Sequence, residues 1–164
     1  MVQVRVFAVA LDAGGHHVVL LKPLLEHSSP ERVVPIWVGA QEATSILVAT
    51  EGHQVPRPLS HDLMKTLLDT LDARVERVEV IRVEEGTFFA EITLLTPAGR
   101  RTIDARPSDS IALAVRAGAE IWVADAVLRE VGILADFADL RPDEAKLDEF
   151  KEFLEDVDPE DFTG

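Results

Sequence analysis

The 164-residue chain has no cysteine. That excludes disulfides, thiolate metal sites and a cysteine nucleophile, and is compatible with a reducing compartment. Aromatic residues make up 5% of it, few for a protein that would hold single-stranded nucleic acid by stacking. Bases are scarce as well: 16 Lys and Arg against 30 Asp and Glu leave a net charge of −14, which argues against a dedicated phosphate-gripping surface. Met1 to Leu11 is interrupted by Arg5 and alternates in polarity, too short for a signal peptide or membrane span. The expectation is a soluble cytoplasmic protein with no membrane association. No P-loop, dinucleotide glycine motif, HExxH or nucleophile elbow is present.

What is there is ordinary globular material, 47% hydrophobic and 28% charged, enough for one compact domain with a real core. The acidity is uneven. Asp139 to Gly164 holds 11 acids and 3 bases, a charge of −8, and the other 138 residues carry −6. The expected division is a domain over residues 1–135 and a linker and acidic C-terminal helix or tail over 136–164. Within the tail, Leu147, Phe150, Leu154 and Val157 are spaced 3, 4 and 3 apart over Asp143 to Val157, the pattern of an amphipathic helix that can dock on its own domain or on a basic protein partner.

Val2, Val4, Val6 and Ala8 alternate with Gln3, Arg5 and Phe7, the period of a strand. Asp12 to Gly15 reads as a turn and His17 to Leu21 as the returning strand. His27 to Glu31 reads as an exposed loop. Val33 to Gly39 is a third strand, in which Pro35 suggests an edge or bulge; an edge strand carrying Pro35 and Trp37 makes a homo-oligomer plausible. A helix over Gln41 to Glu51 follows. After the loop His53 to Pro58, Ser60 is placed to cap a helix whose Leu63, Met64, Leu67, Leu68 and Leu71 form an apolar stripe. His61 and Asp62 then sit in its first turn, off the stripe, pointing outward or into a groove. His16, His17 and His27 lack metal-ligand spacing and read as loop and strand residues.

The second half repeats the first: strands over Val75 to Val83, Phe88 to Leu95 and Arg101 to Ala105, then a helix ending at Gly118. Sliding Trp37–Gly52 onto Ile103–Gly118, an offset of 66, brings Gly52 onto Gly118 and Glu42 onto Ser108, the mark of an internal duplication. Glu120 to Val123 reads as a short strand and Ala126 to Val131 as a small helix. The fold class expected is α+β, with duplicated β-β-β-α repeats in a layered β/α/β arrangement plus the C-terminal amphipathic helix.

The stretch from Ile103 to Gly118 is a strand turning sharply into a helix, with Pro107 at the turn and Ser108 able to cap the first turn. It gathers Asp104, Arg106 and Asp109 at one junction, where a helix start offers free N–H groups and partial positive charge. Capping alone also selects Ser and Asp there, and both readings stand.

Pro35-Ile36-Trp37-Val38-Gly39 with Glu42-Ala43, then Arg57 to Leu63, then Gly86 to Ala90, then Asp104 to Ala114 resemble the bifunctional nuclease domain family, in four motifs in the same order. The family is named for plant members that cut both DNA and RNA. The resemblance implies two β-β-β-α repeats in three layers and carries attention to Glu42, Arg57, His61, Asp62, Asp104, Arg106, Ser108 and Asp109. For phosphodiester hydrolysis the expected catalytic set is His61, Asp62 and Asp109, with His61 as base or acid. Arg57, Arg106 and Ser108 are expected to bind substrate, an arginine clamping phosphate bidentately. Glu42, Asp104 and Asp109 offer hard oxygens suited to Mg²⁺ or Mn²⁺. A metal-dependent nuclease predicts a concave acidic pocket holding His61 with Asp104 or Asp109 and arginines on its rim. A non-enzymatic binding or scaffold protein predicts the same residues buried, fully paired and away from any cleft, Arg57 and Arg106 serving as structural ion pairs.

Overall fold

The computed structural model describes residues 1–25 and 32–134 and the backbone of 141–142. The expected loop His27 to Glu31 and the expected tail helix lie outside the described residues. The chain runs β1 (Val2–Leu11), β2 (His17–Pro23), β3 (Arg32–Trp37), α1 (Ala40–Glu51), α2 (Ser60–Thr70), β4 (Arg74–Glu84), β5 (Thr87–Thr96), β6 (Gly99–Ala105), α3 (Pro107–Ala117), β7 (Glu120–Val123), α4 (Asp125–Val131), β8 (Ile133–Leu134) and β9 (Arg141–Pro142). This is an α+β protein. Its strands join one mixed sheet in the order β6-β5-β4-β7-β1-β2-β3-β8, with β9 added on β1. The layering expected from the sequence therefore takes the form of a continuous sheet, in which β7 bridges the two strand triplets, parallel to β4 and antiparallel to β1.

Strict alternation fails where the strands bulge. In β1 the register shifts between Val6 and Ala8, so Val4 and Val9, five apart, face the main core while Ala8 and Ala10 join a second cluster with Val18, Leu20 and Val33. A similar shift between Val75 and Arg77 lets Val75 and Val78 both point inward. β3 pairs with β2 over Val34 to Trp37 and with the two-residue β8 over Arg32 and Val33, so among the described residues Pro35 pairs on the β2 side only, as the edge that it suggested; the edge strand at the other end of the sheet is β6.

The core forms where α3 lies against α1, α2, β4 and β5. Ser110, Ile111, Ala112 and Ala114 are fully enclosed, and Pro107, Ser108 and Leu113 nearly so. Small residues at Ser108, Ser110, Ala112 and Ala114 let neighbouring backbones close on this helix, and a side chain such as Ile111 contributes about 1.5–3 kcal/mol by leaving water. The two repeats end alike, in Gly52 and Gly118, both at positive φ and both capping helix carbonyls with their N–H. They begin 67 residues apart, at the N-cap residues Gly39 and Arg106, because α1 has 12 residues and α3 has 11. The helix starts thus pair Glu42 with Asp109, where a uniform offset of 66 pairs it with Ser108.

The largest departure concerns α2. Leu68 of its apolar stripe packs against the core, but the other four, Leu63, Met64, Leu67 and Leu71, are exposed. The one buried residue of the helix is His61, expected to point outward or into a groove; it lines a cleft.

Candidate functional site

Three helices begin at one cleft of about 530 Å³. Its lining comes from the first residues of α1 (Ala40, Gln41, Glu42, then Thr44 and Ser45), from the start of α2 (Leu59, Ser60, His61, Met64) and from Arg106 and Asp109 at the start of α3. Each helix carries an acid at its third position, Glu42, Asp62 and Asp109, where a carboxylate meets the free N–H groups and positive end of the helix dipole. A cavity of about 500 Å³ at the far end of α2, lined by Asp69, Asp72 and Arg74 among others, gathers no histidine and no motif residue.

A chain of hydrogen bonds crosses the cleft. Ser45 Oγ lies 2.8 Å from His61 Nδ1, and His61 Nε2 lies 3.0 Å from Asp109 Oδ1. Arg106 then donates to both oxygens of Asp109, from Nε at 2.8 Å and Nη2 at 3.1 Å, and its Nη2 is also 3.1 Å from Glu42 Oε1. Burial alone would push the Asp109 carboxyl up, but the hydrogen bonds from Arg106 and His61 outweigh it and hold the group below the usual carboxylate range. An ionised Asp109 can only accept, so His61 donates from Nε2 and presents the Nδ1 lone pair to the Ser45 hydroxyl. Arg106 gains from the same contacts: the bond to Asp109, with Glu42 adding, raises it above its ordinary value. Its side chain remains two-thirds exposed at 66%, while that of His61 is 8% exposed.

Glu42 and Asp109 are counterparts in the two repeats and share one guanidinium. The repeats differ at the N-cap, where α1 has Gly39 and α3 has Arg106. A Cβ on Gly39 would lie 2.3 Å from Glu42 Oε2, so glycine is what lets Glu42 fold over the start of α1.

The remaining expected site residues lie elsewhere. Asp62 accepts the N–H of Leu59 at 2.8 Å and pairs with Arg116 Nε at 2.5 Å. Burial opposes its charge, but Arg116 and the Leu59 N–H prevail and lower its pKa. Arg116 also donates to the Ala112 carbonyl, so Asp62 fastens α2 to α3. Asp104 stands exposed in β6 opposite Glu91, on an outer strand and outside the cleft lining. Arg57 is exposed in the loop before α2 and does not line the cleft. Ser108 is buried in the first turn of α3, while the N-cap is Arg106 and the hydroxyl that accompanies it is Ser110, which donates to the Arg106 carbonyl. Likewise the N-cap of α2 is Leu59, one residue before Ser60. Sequence reasoning missed Ser45 and Arg116. The signal for Ser45 was a lone hydroxyl between Ala43 and Ile46 on the buried face of α1, one turn beyond Glu42.

As a metal centre the donors fit poorly. Both Asp109 oxygens and one Glu42 oxygen face Arg106, Asp104 is outside the cleft, and among the described residues no three His, Asp or Glu side chains are grouped to hold an ion. Among the described residues, too, no helix is long and apolar enough to cross a membrane.

Comparison with known proteins gives two concordant results. A family model described as "Bifunctional nuclease domain" matches residues 23–136, a span that contains the whole cleft. Two proteins of Mycobacterium tuberculosis, "Uncharacterized protein MT1877" of strain CDC 1551 / Oshkosh and "Uncharacterized protein Rv1829" of strain ATCC 25618 / H37Rv, are each 37% identical to this chain over 171 aligned residues, covering 100% of it and 99% of their own length.

Proposed function

Since the chain belongs to the bifunctional nuclease domain family, we propose that the cleft binds and hydrolyses phosphodiesters of DNA or RNA. The observation that supports this best is the meeting of His61, Asp109 and Arg106 in one open cleft at three helix starts. The Arg106 side chain is 66% exposed, which leaves it open to a ligand from the cleft.

In this reading Arg106 takes a phosphate oxygen pair in place of part of its contact with Glu42 and Asp109. Helix N–H groups at Ala40 to Glu42 and Ser60 to His61 offset the remaining charge. Asp109 keeps His61 in the tautomer whose Nδ1 is basic, and the Ser45 hydroxyl passes the proton of an attacking water to it; as the water oxygen bonds to phosphorus the P–O bond to the leaving oxygen breaks, and that oxygen takes a proton from solvent water. Expected substrate contacts at Arg57 and Ser108, a catalytic role for Asp62 and metal contacts at Asp104 have no support in the geometry of the cleft. Mg²⁺ or Mn²⁺ on Glu42 and Asp109 would require Arg106 to turn away from both carboxylates.

The test is cleavage of single- and double-stranded DNA and RNA by purified protein, with Mg²⁺, with Mn²⁺ and with EDTA, beside His61→Gln and Asp109→Asn. The reading expects cutting that falls by about 10²-fold or more in both folded variants. Cutting unchanged in both would assign it to another site or to a contaminant. No cutting under any condition would favour the binding-protein reading. EDTA sensitivity would add the cation to the mechanism.

A further inference from the structure

Ser45 stands apart from the other helical hydroxyls. Thr44, Thr50, Thr66, Thr70 and Ser110 each donate to the carbonyl four residues earlier in the chain, the ordinary resting place of a hydroxyl in a helix. Ser45 reaches across to another helix, with Oγ 2.8 Å from His61 Nδ1, and His61 Nε2 is 3.0 Å from Asp109 Oδ1. Hydroxyl, imidazole and carboxylate in that succession are the parts of an activated nucleophile, its base and the group that orients the base. Either ring nitrogen can act as the base, provided that the carboxylate holds the other.

We propose that Ser45 is a covalent nucleophile and that the cleft hydrolyses carboxylic esters with short acyl groups, an activity that does not rest on the phosphodiester reading. Ser45 Oγ bonds to the carbonyl carbon as its proton passes to His61 Nδ1. The C–O bond to the leaving alcohol then breaks, and the alcohol oxygen takes that proton. In the second half water adds to the acyl carbon and gives a proton to Nδ1; the bond to Ser45 Oγ breaks, the serine recovers the proton and the carboxylic acid leaves. Asp109 is a positioning residue, holding His61 and stabilising its charged form. The Arg106 guanidinium lines the same cleft and is the cation available to the charge that develops on the carbonyl oxygen. Depth sets the substrate size. Ser45 and His61, each 6% exposed, are the most enclosed residues of the cleft lining, with Leu59 and Met64 among its walls. A short acyl chain can reach them, whereas a peptide carbonyl would have to bring in backbone on both sides.

A fluorophosphonate probe, from which fluoride leaves as a serine oxygen bonds to phosphorus, reads the nucleophile in the full chain without turnover. Mass spectrometry should find one adduct, on Ser45, absent from Ser45→Ala and formed about 10²-fold or more slowly in His61→Gln. Hydrolysis of p-nitrophenyl acetate should fall to the buffer rate in Ser45→Ala, and Asp109→Asn should lower kcat with KM within about twofold; thermal melting checks that each variant is folded. No adduct on Ser45 of the wild type would overturn the proposal, as would equal labelling of folded His61→Gln or ester hydrolysis unchanged in Ser45→Ala. Nucleic-acid cleavage by a wild type whose Ser45 takes no adduct would overturn it and leave the phosphodiester reading standing. An adduct on Ser45 with ester hydrolysis but no nucleic-acid cleavage would support it and remove that reading.

Discussion

Asp62→Ala separates a structural from a catalytic acid at the start of α2. Two interactions go with the carboxylate. The hydrogen bond to the Leu59 N–H closes the first turn, and a lost side-chain partner there costs about 1 kcal/mol. The Arg116 side chain, 7% exposed, keeps the Ala112 carbonyl as its acceptor among the described residues, and breaking a buried pair costs about 3–5 kcal/mol. Asp62 itself is 32% exposed, and water reaching the gap brings that contribution down to about 2 kcal/mol. The total is about 3 kcal/mol, a fall in Tm of roughly 6–12 °C for a chain of this size. Urea unfolding read by far-UV circular dichroism measures it. Arg116→Met in the Asp62→Ala background should restore part of the loss, since the orphaned charge is removed. Destabilisation under about 1 kcal/mol would refute the assignment of Asp62 as the tie between α2 and α3. So would a stable variant that cleaves nothing.

Asp12 titrates at about 2, lowered from 3.8, chiefly by the His16 N–H and then by the Trp37 indole. Its folded pKa lies below the unfolded one, so its stabilisation is complete above about pH 4 and disappears as pH falls through about 2; NMR titration of the Asp12 carboxyl should show that midpoint. Gly39→Ala should displace Glu42 from the start of α1 at a stability cost under about 1 kcal/mol, and NMR should show a changed Arg106 side-chain N–H resonance. Arg106→Met should weaken oligonucleotide binding by about tenfold or more while Arg57→Met leaves it within about twofold, measured by fluorescence anisotropy at fixed salt. Equal effects of the two would place the phosphate contact on the loop before α2.

The strand and helix succession was legible because period-2 valines and the glycines at 52 and 118 act locally. The bulges in β1 and β4 were not, since a one-residue register shift is decided by the partner strand. The stripe of α2 was legible as a pattern, but its exposure was not: periodicity shows that one side of a helix is apolar, not what covers it, and of the five residues only Leu68 packs on the core. His61 illustrates the converse. A histidine off the stripe looks solvent-facing, and only the approach of Ser45 and Asp109 from two other helices buries it. Arg106 and Asp109, three apart at one helix start, were visible together, whereas Arg116 belongs to Asp62 across 54 residues of chain, a distance no local motif spans. Asp104 sits two residues before Arg106, but the end of β6 turns it to the outer side.

The central claim is that phosphodiester is held at the start of α1, α2 and α3. The most direct test is backbone NMR of the labelled protein titrated with a short oligonucleotide whose phosphates are replaced by cleavage-resistant phosphorothioates. Saturating shifts confined to Gly39–Glu42, Leu59–His61 and Arg106–Asp109, and abolished by Arg106→Met, are what the account predicts. Shifts centred on β6 or on the loop at Arg57, with the three helix starts unmoved, would contradict it.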